Sequence, residues 1–201
     1  MTILSVNKTR NFDGRSMRLF LWARLCPFCF LEYIMRKSRF LARGALIGAL
    51  YVALTHLQNI LIPGSASWAI QFRVSEALCV LALFTPAAIP GLTLGCMLFN
   101  ISFAGALPLD FLAGSLATLL ATAGMFALRK FVVKGYPLFA MLLPAVCNAF
   151  LVGWELTVYI GGGFWLNALY VAIGELTVLL TLGTAMYYGL RARNLDKRLF
   201  G

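Results

Sequence analysis

The chain has 201 residues, 61% of them apolar and only 12% charged, with a mean hydropathy of +0.86. A soluble domain carries about a quarter of its residues charged, so a water-facing globule of this composition would expose bare hydrocarbon. A lipid-covered protein is the class that remains. At roughly 20 residues per spanning helix, the chain from Phe40 onward holds six spans and short turns, with no room for a soluble catalytic domain besides.

Residues 1–34 form an N-terminal extension, and residues 35–201 the membrane domain. Within 16–35, Arg18, Arg24 and Glu32 interrupt a moderately apolar stretch, which denies it the clean core of a signal peptide. Two readings stand for the extension: an interfacial helix, or a start assigned too early, with Met35 opening the natural product. The first span covers 40–62 and ends at Pro63-Gly64, and the second covers 68–84 and stops at Thr85-Pro86. A third runs from 88 to 103, a fourth from Asp110 to 128, a fifth over 137–159 and a sixth over 164–190. Proline and glycine clusters at the junctions are the expected breakers. The expected fold is an all-α integral membrane protein with six transmembrane helices.

The 17 basic and 7 acidic residues give a net charge of +10, and their placement sets orientation. Nine basic residues lie at or before Arg43, three (Arg129, Lys130, Lys134) in the connection after span four, and four from Arg191 onward. Loops rich in Lys and Arg stay cytoplasmic. An even number of spans puts both termini on that side, here the cytoplasmic face of the plasma membrane. A nucleic-acid binder would instead spread its basic residues over a solvated face, and no nucleic-acid partner is expected.

Five cysteines and one histidine, His56, raise a metal or redox reading. Cys26 and Cys29 form a CxxC without a second pair at zinc-ligand spacing. Cys79, Cys96 and Cys147 sit inside spans, where cysteine behaves as a small apolar residue. No metal, cofactor or catalytic residue is expected, and an intramembrane enzyme has little to build from.

Ionisable groups inside spans cost at least about 2.5–3.5 kcal/mol and mark pathways or sites. At 1.5 Å per residue, Glu76 lies about 12 Å and Glu175 about 16 Å below the outer face. Glu155 is one turn from the outer end of span five, and Asp110 opens span four. Asn148 and Glu155 share one face of span five, as do Asn167 and Glu175 on span six, while Arg73 can meet Glu76 on span two. Asn100 lies near the outer end of span three. Turned inward, these groups line one pocket open to the outside, with four acids against one base, suited to a cation rich in hydrogen-bond donors. Plainer roles compete: an Arg73–Glu76 ion pair bracing a short span, Asp110 as a helix N-cap, and Asn148 as interhelical glue. Glu155 and Glu175 have no cationic neighbour in sequence.

Ala45, Ala49 and Ala53 recur every fourth residue on span one, with Gly44 and Gly48 alongside. Small residues on one stripe admit a second helix. That helix belongs either to the same bundle or to another membrane protein.

Two strings carry a resemblance. Phe72-Arg73-Val74-Ser75-Glu76-Ala77-Leu78 and Phe84-Thr85-Pro86-Ala87-Ala88-Ile89-Pro90-Gly91-Leu92 resemble the QueT family, as do residues 114–120 and 148–155. The likeness covers about 38–190. That family comprises S components of energy-coupling-factor (ECF) transporters that import queuosine precursors. The resemblance implies capture of an aminomethyl-deazaguanine-like base from outside. It also implies an alanine stripe lent to an EcfT-like transmembrane coupling subunit, and toppling driven by two partner ATPases. Ala45, Ala49 and Ala53 match the family's AxxxAxxxA stripe. An S component for another vitamin or nucleobase is the alternative.

Overall fold

A computed structural model describes residues 27–63, 72–103 and 109–192 of the chain. The chain divides into two compact units, residues 1–40 and 41–201. In the first, the described residues are helical. Of the stretch 16–35, one reading of which was an interfacial helix, residues 16–26 lie outside the described residues and 27–35 are helical; Cys26 and the Cys29 side chain are likewise not described.

The described elements are helical, apart from one isolated bridge between Val133 and Tyr136. Helix α1 is Pro27–Leu61, and a 3₁₀ helix follows at Val74–Leu83. Then come α2 (Ala88–Ser102), α3 (Asp110–Leu128) and α4 (Leu138–Tyr159). A last rod comprises α5 (Phe164–Val178), a π-helical turn (Leu179–Gly183) and α6 (Thr184–Ala192). Among the described residues, four segments are long and apolar enough to cross a membrane: Lys37–Leu61, Asp110–Leu128, Leu138–Tyr159 and Phe164–Ala192.

Six helical segments are present among the described residues, but two differ from the sequence expectation. Helix α1 begins at Pro27 rather than near 40. The second segment is not a membrane-length α-helix: ten 3₁₀ residues extend about 20 Å, short of a hydrocarbon core of about 30 Å. Residues 68–71 of the expected span lie outside the described residues. The sequence of the 3₁₀ helix is apolar almost all round, and Ser75 to Leu83 are all buried. It is the central strut of the bundle, exposed at its first residue, Val74, and buried from Ser75 onward.

Apolar side chains cover the outside. Leu46, Ile60, Leu98, Leu116, Phe139, Phe150 and Trp165 are exposed, while Arg73, Glu76, Asp110, Glu155 and Glu175 are buried. In water this inverted distribution would be unstable; in lipid it is the expected one.

Close helix approach depends on glycine. A Cβ on Gly48 would stand 2.6 Å from the Gly91 carbonyl oxygen, and one on Gly95 would stand 2.8 Å from that of Gly48. Gly44, Gly48, Gly91 and Gly95 therefore form the α1–α2 seam, backbone on backbone. Ala45, Ala49 and Ala53 lie beside this seam and are exposed. Between α4 and α5, a Cβ on Gly153 would stand 2.8 Å from the Ala168 Cα.

At one end of the bundle, Lys134 (φ +49°) and Gly135 (φ +83°) form a tight turn flanked by the Val133–Tyr136 hydrogen bonds. Arg191 donates to the Gly135 carbonyl (3.2 Å) and to the Tyr187 hydroxyl (2.7 Å). The basic connection after α3 and the start of the basic C-terminal segment thus share one end, as the charge pattern anticipated.

Candidate functional site

The site lies toward the other end. Asp110 opens α3, whose last residue leads into the basic connection about 28 Å away. Glu155 sits near the far end of α4, and Asn100 near the end of α2. Three turns of α1 face them: Tyr51, Thr55 and Gln58 are buried on one stripe with Ile47 and Gly48.

The chain enters the 3₁₀ helix through Gln58. Its amide nitrogen donates to the Phe72 carbonyl, and its oxygen accepts from the Val74 N–H at 2.7 Å. These bonds hold Arg73 extended just ahead of the helix. The Arg73 guanidinium turns inward over Gly114, where a Cβ would stand 3.8 Å from its Nη1 and 2.9 Å from Asn100 Nδ2. Its electrostatic neighbours include Tyr51, Asp110 and Glu76. It is also within electrostatic reach of Glu155 and Glu175. One buried cation thus stands among four buried carboxylates contributed by the 3₁₀ helix, α3, α4 and α5.

The carboxylates are held differently. Glu76, 2% exposed, accepts from the Tyr51 hydroxyl at 2.6 Å and from the Cys79 thiol at 3.1 Å, so both its oxygens are engaged. Glu175 accepts from Asn148 Nδ2 at 2.9 Å on one oxygen, while its second is buried without a hydrogen-bond partner. Glu155 is 0% exposed, and neither of its oxygens has a hydrogen-bond partner. The Asp110 carboxyl stands beside that of Glu155, where two ionised carboxylates, being acceptors only, do not satisfy one another. Asn100 donates to the Asp110 main-chain carbonyl at 2.8 Å, and its side-chain oxygen is likewise buried and unpartnered. Leaving a buried acceptor unsatisfied costs about 1–3 kcal/mol, and more where it is charged.

Of the eight polar residues singled out in the sequence, seven (Arg73, Glu76, Asn100, Asp110, Asn148, Glu155 and Glu175) are buried. The hydrogen bonds and electrostatic neighbours above link them into one cluster. Asn167 is not part of it: it donates to Thr157 Oγ1 and to the Gly161 carbonyl, both at 3.0 Å, and braces the α4–α5 turn. The N-cap reading of Asp110 is corrected as well, because Leu109 holds the cap position and makes no side-chain bond there. Asp110 is the first residue inside the helix.

Sequence reasoning missed Tyr51 and the role of Cys79. The cysteine is not merely small and apolar, since its thiol bonds Glu76. Its i+3 spacing from Glu76 was a usable signal. Tyr51 carried a weaker one, four residues before Thr55 on the stripe that Gln58 extends. Thr55 Oγ1 lies 2.7 Å from both the Tyr51 carbonyl and Ser75 Oγ, tying α1 to the 3₁₀ helix beside Glu76.

A multi-pass helical bundle with a lipid-type exterior and ionisable groups gathered in its interior is the architecture of a membrane transport protein. The model of the QueT transporter family matches residues 41–192, and the chain belongs to that family. It is the family of S components for queuosine precursors in ECF transporters. No curated protein and no solved structure matches the chain.

Proposed function

We propose that the chain is the membrane-embedded capture subunit of an ECF importer that takes an aminomethyl-deazaguanine-like base from outside the cell. The observation that carries this reading is Glu155, wholly buried with both oxygens unpartnered. Three further facts point the same way: the free oxygen of Glu175, the Asn100 carbonyl, and the position of the cluster away from the basic end. Every unpartnered atom in the cluster is an acceptor. A ligand bearing an ammonium and a guanine-type donor edge supplies the complement, with charge-assisted bonds roughly twice as strong as neutral ones.

Arg73, Glu76 and Asp110 complete the binding site as its charged frame, with Asn148 as the residue that orients Glu175. The basic end faces the cytoplasm of the plasma membrane, so both termini are cytoplasmic. The exposed face of Ala45, Ala49 and Ala53 docks the EcfT-like coupling subunit. Two partner ATPases drive the toppling that releases the base inward.

Equilibrium binding of the aminomethyl and cyano deazaguanines to detergent-purified protein tests this reading. Tighter binding of the aminomethyl compound is expected. Preference for the cyano compound would overturn the cationic assignment, and binding of neither by folded protein would overturn the substrate.

A further inference from the structure

Resting on the reading of the buried cluster as the ligand site, we propose that the three interior glutamates have separate duties. Glu155 reads a flat two-donor edge of the ligand, Glu175 takes a single cationic donor, and Glu76 braces the frame without touching the ligand. The division follows from how many oxygens of each carboxylate the fold has already engaged.

Glu76 has no unengaged oxygen. Tyr51 from α1 and Cys79 one turn along the 3₁₀ helix occupy its two oxygens at 2.6 and 3.1 Å. Those bonds link two elements and fix the Glu76 rotamer, which is a structural duty. Glu175 has one oxygen to offer, because Asn148 holds the other at 2.9 Å. One oxygen satisfies an ammonium, whose donors radiate from a point. It cannot accept two parallel N–H bonds.

Glu155 alone has both oxygens unpartnered. A carboxylate with two free oxygens matches a pair of adjacent donors in bidentate fashion, the geometry that gives both strength and selectivity. A ring N–H beside an exocyclic amino group is such a pair. Asn100 adds a third type of contact. Its amide nitrogen is committed to the Asp110 carbonyl at 2.8 Å, which leaves its oxygen as a neutral single acceptor. A site built to hydrogen-bond a donor rejects the analogue lacking it, because the buried acceptor is then left unpaired. Glu155 is therefore the specificity-determining residue toward the base edge.

The test measures coupling between ligand groups and side chains in the detergent-purified full chain. Three compounds are titrated: aminomethyl-deazaguanine, its analogue lacking the exocyclic amino group, and methyl-deazaguanine, which lacks the ammonium. Removing the exocyclic amino group should weaken wild-type binding about 10–100-fold, the range of one hydrogen bond to a charged group. In Glu155→Gln that penalty should shrink below about threefold, while it persists in Glu175→Gln and Glu76→Gln. The penalty for removing the ammonium should collapse in Glu175→Gln alone. Should Glu155→Gln not fold, Glu155→Asp keeps two oxygens on a shorter stem, and it should bind more weakly yet retain the preference for the two-donor edge. An exocyclic-amino penalty that is unchanged in Glu155→Gln, or abolished in Glu175→Gln or Glu76→Gln, overturns the division while leaving the ligand site standing. Binding of none of the three compounds by folded wild type overturns the ligand-site reading itself, and the division with it.

Discussion

Asn148 on α4 donates to Glu175 on α5 at 2.9 Å, a bond between two fully helical residues 27 positions apart in the chain. Gly153 lets α4 lie directly on Ala168 of α5, which brings the two helices close enough for this bond. One amide thereby fixes the rotamer of a buried carboxylate. Replacing Asn148 with leucine, of similar volume, leaves Glu175 with two unpartnered oxygens. A hydrogen bond to a charged group contributes about 1.5–3 kcal/mol, so ligand affinity should fall about tenfold or more in calorimetric titration. A change below about twofold would show that the orientation of Glu175 does not govern binding.

Tyr51→Phe removes the hydroxyl that Glu76 Oε1 accepts at 2.6 Å and changes nothing else in shape. The buried oxygen is then unsatisfied, and stability should drop about 1–3 kcal/mol. Cys79→Ala should cost less through this route, since a thiol is the weaker donor. Thermal unfolding in detergent followed by circular dichroism ranks the two variants. The reverse order would mean that Glu76 leans on the thiol.

Two neighbouring positions on α1 should behave in opposite ways. Gly48→Val drives a side chain into the Gly91 carbonyl, 2.6 Å from the first added carbon. Overpacking of this kind costs about 1–3 kcal/mol or more, visible as a lower unfolding midpoint. Ala49→Leu extends an exposed side chain and should leave the midpoint unchanged. If the alanine face docks the coupling subunit, the same variant should reduce co-purification with that subunit. Retained co-purification would move the docking surface elsewhere.

Gly135 adopts φ +83° in the turn that receives Arg191. A β-branched residue in that conformation costs roughly 1–2 kcal/mol, so Gly135→Val should lower the unfolding midpoint while leaving ligand affinity within about twofold. Loss of binding would mean that the basic end and the buried cluster are coupled.

Much of the architecture was legible in the chain itself. Apolar runs bounded by proline and glycine located α2, α3, α4 and the last rod as a whole to within about two residues, because a lipid-facing helix must stay apolar over its length and cannot continue through Gly161-Gly162-Gly163; the π-helical break between α5 and α6 was not foreseen. The clustering of Arg129, Lys130 and Lys134 with the C-terminal arginines foretold a shared end, which the Arg191–Gly135 bond realises. One rule, that charge and amide groups inside a span are too costly to be incidental, picked out the seven residues that are buried in one cluster and also Asn167, which is not part of it. Membership of the QueT transporter family was likewise readable from local strings around Arg73–Glu76 and Pro86–Leu92.

Tertiary structure decided what spacing cannot express. Hydropathy does not distinguish a 3₁₀ helix from an α-helix when every face is buried, so the short central strut at Val74–Leu83 was read as a full span. Glycine and alanine look alike as small residues on a stripe. Only the approach of Gly91 and Gly95 shows that Gly44 and Gly48 form the inner seam while Ala45, Ala49 and Ala53 face outward. Carboxylates in sequence are equivalent, too. Their difference lies in partners brought from α1 and α4: Tyr51 for Glu76, Asn148 for Glu175 and none for Glu155. Sequence periodicity fixes which face a residue occupies, but hydrogen-bond satisfaction depends on atoms meeting across helices far apart in the chain. On that satisfaction rests the proposed division between a brace and a binding group.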